Sequence, residues 1–108
     1  MFHVERFDRI ERAETEDIAN ELMNKQRYYP LTDGQTILET ENIDEAIEAA
    51  RKTASAMMTK DQVGSVVDVT YASVTEETKD EDGNTADLAQ ILVIIPQIGQ
   101  SNIEVREA

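Results

Sequence analysis

The chain has no cysteine and no tryptophan, a single histidine, two prolines and four isolated glycines. Without cysteine there is no disulfide framework, no thiolate metal site and no thiol nucleophile, a composition that suits a reducing compartment. His3 has no second histidine with which to form a metal pair and reads as a surface or edge residue. Gly34, Gly64, Gly83 and Gly99 make up neither a Walker motif nor a dinucleotide fingerprint, so the glycine-rich phosphate cradles are excluded. Ser55, Ser65, Ser73 and Ser101 fall in no nucleophile-elbow pattern. No cofactor, no bound metal and no catalytic residue is expected, and the chain is not expected to be an enzyme.

Long apolar runs are missing as well. The longest, Ile91 to Ile95, has five residues against the roughly 20 that span a bilayer. Residues 1 to 9 carry a charge at every second or third place, with no apolar stretch of the kind a signal peptide requires. The expectation is a cytoplasmic protein with no membrane partner.

Positive charge is the scarcest commodity. Ten Lys and Arg stand against 23 Asp and Glu, a net of -13 on 108 residues. Residues 1 to 60 hold 13 acids and 8 bases, whereas residues 61 to 108 hold 10 acids and only Lys79 and Arg106. Nucleic-acid affinity comes largely from Lys and Arg displacing counterions from phosphates, so direct DNA or RNA binding is excluded as an expectation. The same field repels anionic lipid surfaces and steers toward basic protein faces.

What remains is enough for one domain, residues 1 to 108, with an aliphatic core. The opening residues read either way, since Phe2 and Val4 alternate while Val4, Phe7 and Ile10 step by three; a strand over residues 2 to 10 is the preferred reading. Thr15 before Glu16 and Asp17 caps a helix over about 15 to 27, closed off by Pro30. Asp33-Gly34 marks a tight turn before a short strand at Thr36, Ile37 and Leu38. Asn42 with Glu45 resembles a capping box, and Ile43, Ala46, Ile47, Ala50, Ala54, Met57 and Met58 recur at helical spacing after it. Val66 to Val74 and Leu88 to Ile95 are strand-like arms of a hairpin whose midpoint is Asp82-Gly83. Pro96 ends the second arm, and Ile103 and Val105 suggest one more short strand.

The fold class expected is α+β: a two-layer antiparallel or mixed sheet of four to five strands in β-α-β-α-β-β order, with both helices on one face. Both hairpin arms are apolar on two sides, so the second face is expected to be buried either in a homodimer through the sheet or by the chain's own terminal segments.

Candidate sites are few. Residues 76 to 87 form an acidic hairpin tip in which Asp80, Asp82, Asn84 and Asp87 offer oxygen ligands. Laid on an EF-hand loop, however, the obligatory glutamate position becomes Ala89, and no entering helix precedes it. A solvated turn is the preferred reading. Asp68, set in Val66-Val67-Asp68-Val69, becomes an acid-base candidate, with Tyr71 beside it, if it faces a dry core. Tyr28 and Tyr29 are either a contact pair or half core, and Met57 and Met58 are read as core filler. The function expected is a small non-enzymatic interaction protein engaging a basic partner through its acidic surface. The alternatives are a nucleic-acid mimic that inhibits a DNA-binding protein and a small-ligand or enzyme domain with a pocket near Asp68.

Overall fold

One strand organises the molecule. In the computed structural model, which describes residues 1–28 and 33–106, β4 (Ser65–Lys79) runs for 15 residues and hydrogen-bonds on both sides. Along one side lies β1 (Phe2–Arg12), paired without interruption from Phe2↔Glu76 to Arg12↔Val66. Along the other, β3 (Ser55–Lys60) pairs Ser65 to Thr70, and β5 (Thr85–Ile95) pairs Ala72 to Lys79. β2 (Gln35–Thr40) extends the sheet beyond β1, and β6 (Ile103–Arg106) extends it beyond β5. All pairs are antiparallel. Fifteen residues at about 3.4 Å each give roughly 50 Å, and β4 accordingly sets the long dimension of a body of 56 × 23 × 22 Å.

The α+β class and the antiparallel sheet with two helices packed on it are as expected; the strand count and the placing of the helices are corrected. Helix α1 (Glu16–Asn24) begins at Thr15, whose hydroxyl accepts from Ile18 N–H at 3.2 Å. Its Ala19 and Met23 pack with Phe7, Val67, Val69, Tyr71 and Ile95. Helix α2 (Ile43–Thr53) begins at Asn42, whose Oδ1 accepts from Asp44 and Glu45 N–H at 2.9 and 3.2 Å. Asn42's own N–H donates to Thr40 Oγ1, so only half of the capping box forms. Acids in the first turn of α2 and Arg51 and Lys52 in its last complement the helix dipole. Its Ala46 and Ala50, both fully buried, pack with Val4, Ala72, Val74, Leu92 and Ile94. Val69 and Tyr71 have opposite parity to Ala72 and Val74 on an unbroken ladder, so the two helices cover opposite faces of the sheet.

Near-continuous β-branched runs in β4 and β5 therefore have a simple cause, one helix over each face. The face that α2 leaves to others is covered by α1 and by residues 96 to 102. Asn20 holds that segment through both backbone groups of Ile98, at 3.1 and 2.8 Å, and Gln97 Nε2 donates to Asn24 Oδ1 at 2.7 Å. The sixth strand, β3, replaces what helical spacing assigned to the end of α2. Ala54 turns extended (ψ 127°) and closes the helix by donating to Ala50 O, which puts Met57 and Met58 on alternate faces of β3. Met57 is exposed and Met58 half-buried. At the Asp33-Gly34 turn the positive φ (62°) falls on Asp33, not on the glycine.

Candidate interaction surface

β1 starts opposite Glu76, and Glu77 N–H donates to Met1 O at 2.8 Å. Beyond that point, among the described residues, β4 and β5 pair only with each other. From Thr78 to Ala89 every residue is exposed, so the hairpin forms a two-stranded arm projecting past the body. Its turn is held by Asp80, whose Oδ1 accepts from Asp82 and Asn84 N–H, each at 3.0 Å, while Asp80 N–H donates to Asn84 O and Gly83 takes a φ of +80°. The Asp80 carboxylate is thus directed at its own turn. Among the described residues no group of three His, Cys, Asp or Glu side chains is disposed to hold a metal ion.

The root of the arm is a polar knot that sequence reading missed. His3, on β1, lies between β2 and β4, with Nε2 2.7 Å from Glu77 Oε2 and Nδ1 3.4 Å from Glu39 Oε1. Thr85 donates to Glu77 Oε1 at 3.0 Å, and the terminal amine sits 3.3 Å from Glu41. The hydrogen bond from His3, then that from Thr85, holds the Glu77 carboxyl below its usual pKa. No local pattern announces this knot, because strand pairing brings together residues far apart in the chain. Residues 76 to 87 carry Glu76, Glu77, Asp80, Glu81, Asp82 and Asp87 against Lys79 alone.

Along the arm the outer side of β5 is open among the described residues. β6 pairs only with Leu92 to Ile95, so among the described residues no strand lies against Thr85–Ile91. Leu88, in this stretch, is 60% exposed.

Asp68 is at the other end of the molecule. It is exposed, in register between Ile10 on β1 and Met57 on β3, and lines an open depression of about 420 Å³ with Arg6, Asp8, Arg9, Ile10 and Thr70. Asp8 there accepts from Arg6 and Thr70, in that order the causes of its lowered pKa. An exposed Asp68 lacks the desolvation that acid-base catalysis draws on. Tyr71, three residues on, points to the opposite face. It is fully buried, its hydroxyl has no hydrogen-bond partner among the described residues, and burial followed by the charge of Glu11 pushes its pKa up to about 12. It stays protonated and is no base near neutral pH.

Ser73 is likewise buried without a partner among the described residues, Ser65 is half-buried, and Ser55 and Ser101 are exposed. Of the tyrosine pair, Tyr28 ends a short 3₁₀ turn (Lys25–Tyr28), and Tyr29 lies outside the described residues, as does Pro30. No helix among the described residues is long and apolar enough to cross a membrane.

The chain matches no protein-family model, no curated protein and no solved structure. The reading of its function therefore rests on the arm, its root and its open edge.

Proposed function

We propose that this chain is a non-enzymatic interaction protein that presents its acidic arm to a basic protein partner. The observation that carries the reading is the arm's geometry: an exposed two-stranded ribbon, clear of the body, with Asp80, Glu81, Asp82 and Asp87 against Lys79 alone, and Glu76 and Glu77 at its root. Held away from low-dielectric protein, these carboxylates are hydrated, and their field reaches a partner before any contact forms. Nucleic-acid mimicry is the narrower form of the same reading. The wider form is preferred because the acids gather at the tip and root instead of running in an even row.

The test is binding of a lysine-rich peptide across a salt titration, using the intact chain and a variant carrying Glu76→Gln, Glu81→Gln, Asp82→Asn and Asp87→Asn. Asp80 and Glu77 are left in place because they hold the turn and the root. The intact chain should lose affinity as the screening length shortens toward about 8 Å, and the variant should bind at least about tenfold more weakly at low salt. Equal affinity of the two proteins would rule the reading out.

A further inference from the structure

Resting on that reading, we infer that the open edge of β5 takes up an extended basic segment of the partner as an added antiparallel or parallel strand, with basic and apolar side chains alternating along it. Thr85–Ile91 is hydrogen-bonded to β4 on its inner side, and among the described residues no strand pairs with its outer side. A strand so placed presents a row of backbone donors and acceptors already fixed in extended geometry, a template for another chain. Native edges are commonly blunted by lysine, proline or inward-pointing charge. This one has no proline and no base, and Asp87 is its single charge.

The register supplies the side-chain pattern. Leu88 and Gln90 pair with Glu77 and Thr75 and so share one face, with the Leu88 side chain largely exposed; Asp87 and Ala89 pair with Thr78 and Glu76 and share the other. A strand added alongside meets Leu88 on the first face, where Glu77 one strand further in is already engaged by His3 and Thr85, and meets Asp87, with Glu76 one strand further in, on the second. Alternation of apolar and basic residues satisfies both faces at once.

Charge decides the occupant. A second copy would bring its own acidic arm against this one, like charge on like, whereas a basic segment neutralises it.

The experiment uses the full chain and three peptides of equal charge: an alternating lysine-valine peptide, and the same peptide N-methylated on its odd or on its even residues. Read-outs are affinity by calorimetry and amide hydrogen exchange over Thr85–Ile91. The unmodified peptide should slow exchange of the outward amides and bind at least about tenfold more tightly than one of the two methylated forms, which cannot complete the ladder. Equal binding of all three without protection overturns strand addition and leaves the charge reading standing. No binding of any of them at low salt overturns both. Protection of the outward amides of Thr85–Ile91 in the peptide-free chain, together with sedimentation as a dimer, would show a second copy on the edge and overturn the assignment of a basic segment.

Discussion

Gly34 lies so close to Phe7 that a Cβ built on it would stand 2.3 Å from a ring carbon, well inside van der Waals contact. Gly34→Ala is therefore expected to destabilise the fold by about 1–3 kcal/mol, read as a lower urea midpoint, with Phe7→Leu recovering part of the loss. The Asp33-Gly34 pair was legible as a turn, but its division of labour was not: Asp33 takes the positive φ, and Gly34 is small because of a ring 27 positions earlier in the chain. Asp61 gives a second test at this scale. Its carboxylate is held at about 2, chiefly by the Arg12 guanidinium at 2.9 Å and then by Val63 N–H. A folded pKa below the ordinary 3.8 means that the contribution is complete above about pH 4 and is lost as pH falls through about 2. Asp61→Asn should flatten stability against pH in that window, measured as urea midpoints across the acid limb. An unchanged slope would show that the Arg12 tie contributes nothing.

At the scale of elements, α2 shows how much a local signal can carry. Asn42, the acidic first turn and the alanine stripe were all readable because capping and helical periodicity act within a few residues. Asn42→Ala should cost about 1 kcal/mol, seen as a lower thermal midpoint, with the loss concentrated in amide protection over the first turn of α2. The end of that helix was misread for an equally physical reason. Ala54, Met57 and Met58 continue the helical spacing, but Ser55–Lys60 gains a full ladder on β4, and tertiary pairing outweighs the helix propensity of Ala56, Met57 and Met58. The overlooked sign was Asp61-Gln62-Val63-Gly64. Its Asp61 side chain accepts from Val63 and Gly64 N–H, and Gly64 has a φ of +146°, which makes it a hairpin loop joining β3 to β4. The opposite placing of the helices was invisible to periodicity, which says that each needs a sheet face but not which one.

At the scale of the whole molecule, the radius of gyration is 15.3 Å against about 13 Å for a compact chain of this length. The arm accounts for much of that elongation and contributes nothing to either core cluster, since all residues of both clusters lie outside 78 to 87. Replacing residues 78 to 87 with a tight Asn-Gly turn should lower the thermal midpoint by no more than the loss of the Thr85–Glu77 hydrogen bond while abolishing salt-dependent binding to basic peptides, and a large fall in the midpoint would contradict this division. The acidic composition was legible in the sequence, but its concentration on a projecting ribbon was not, because where β1 stops along β4 is a matter of long-range register. That register also fixes an order of events. Phe2–Arg12 leaves the ribosome long before Val66 to Glu76, the residues that give it a partner along its whole length. Val4 can meet Ala46 and Ala50, and Phe7 can meet Ala19 and Met23, well before the strand that completes their cover has been made. Completion of the sheet thus waits for residues 66 to 76, and it is slow in the way of proteins whose contacts are distant in sequence.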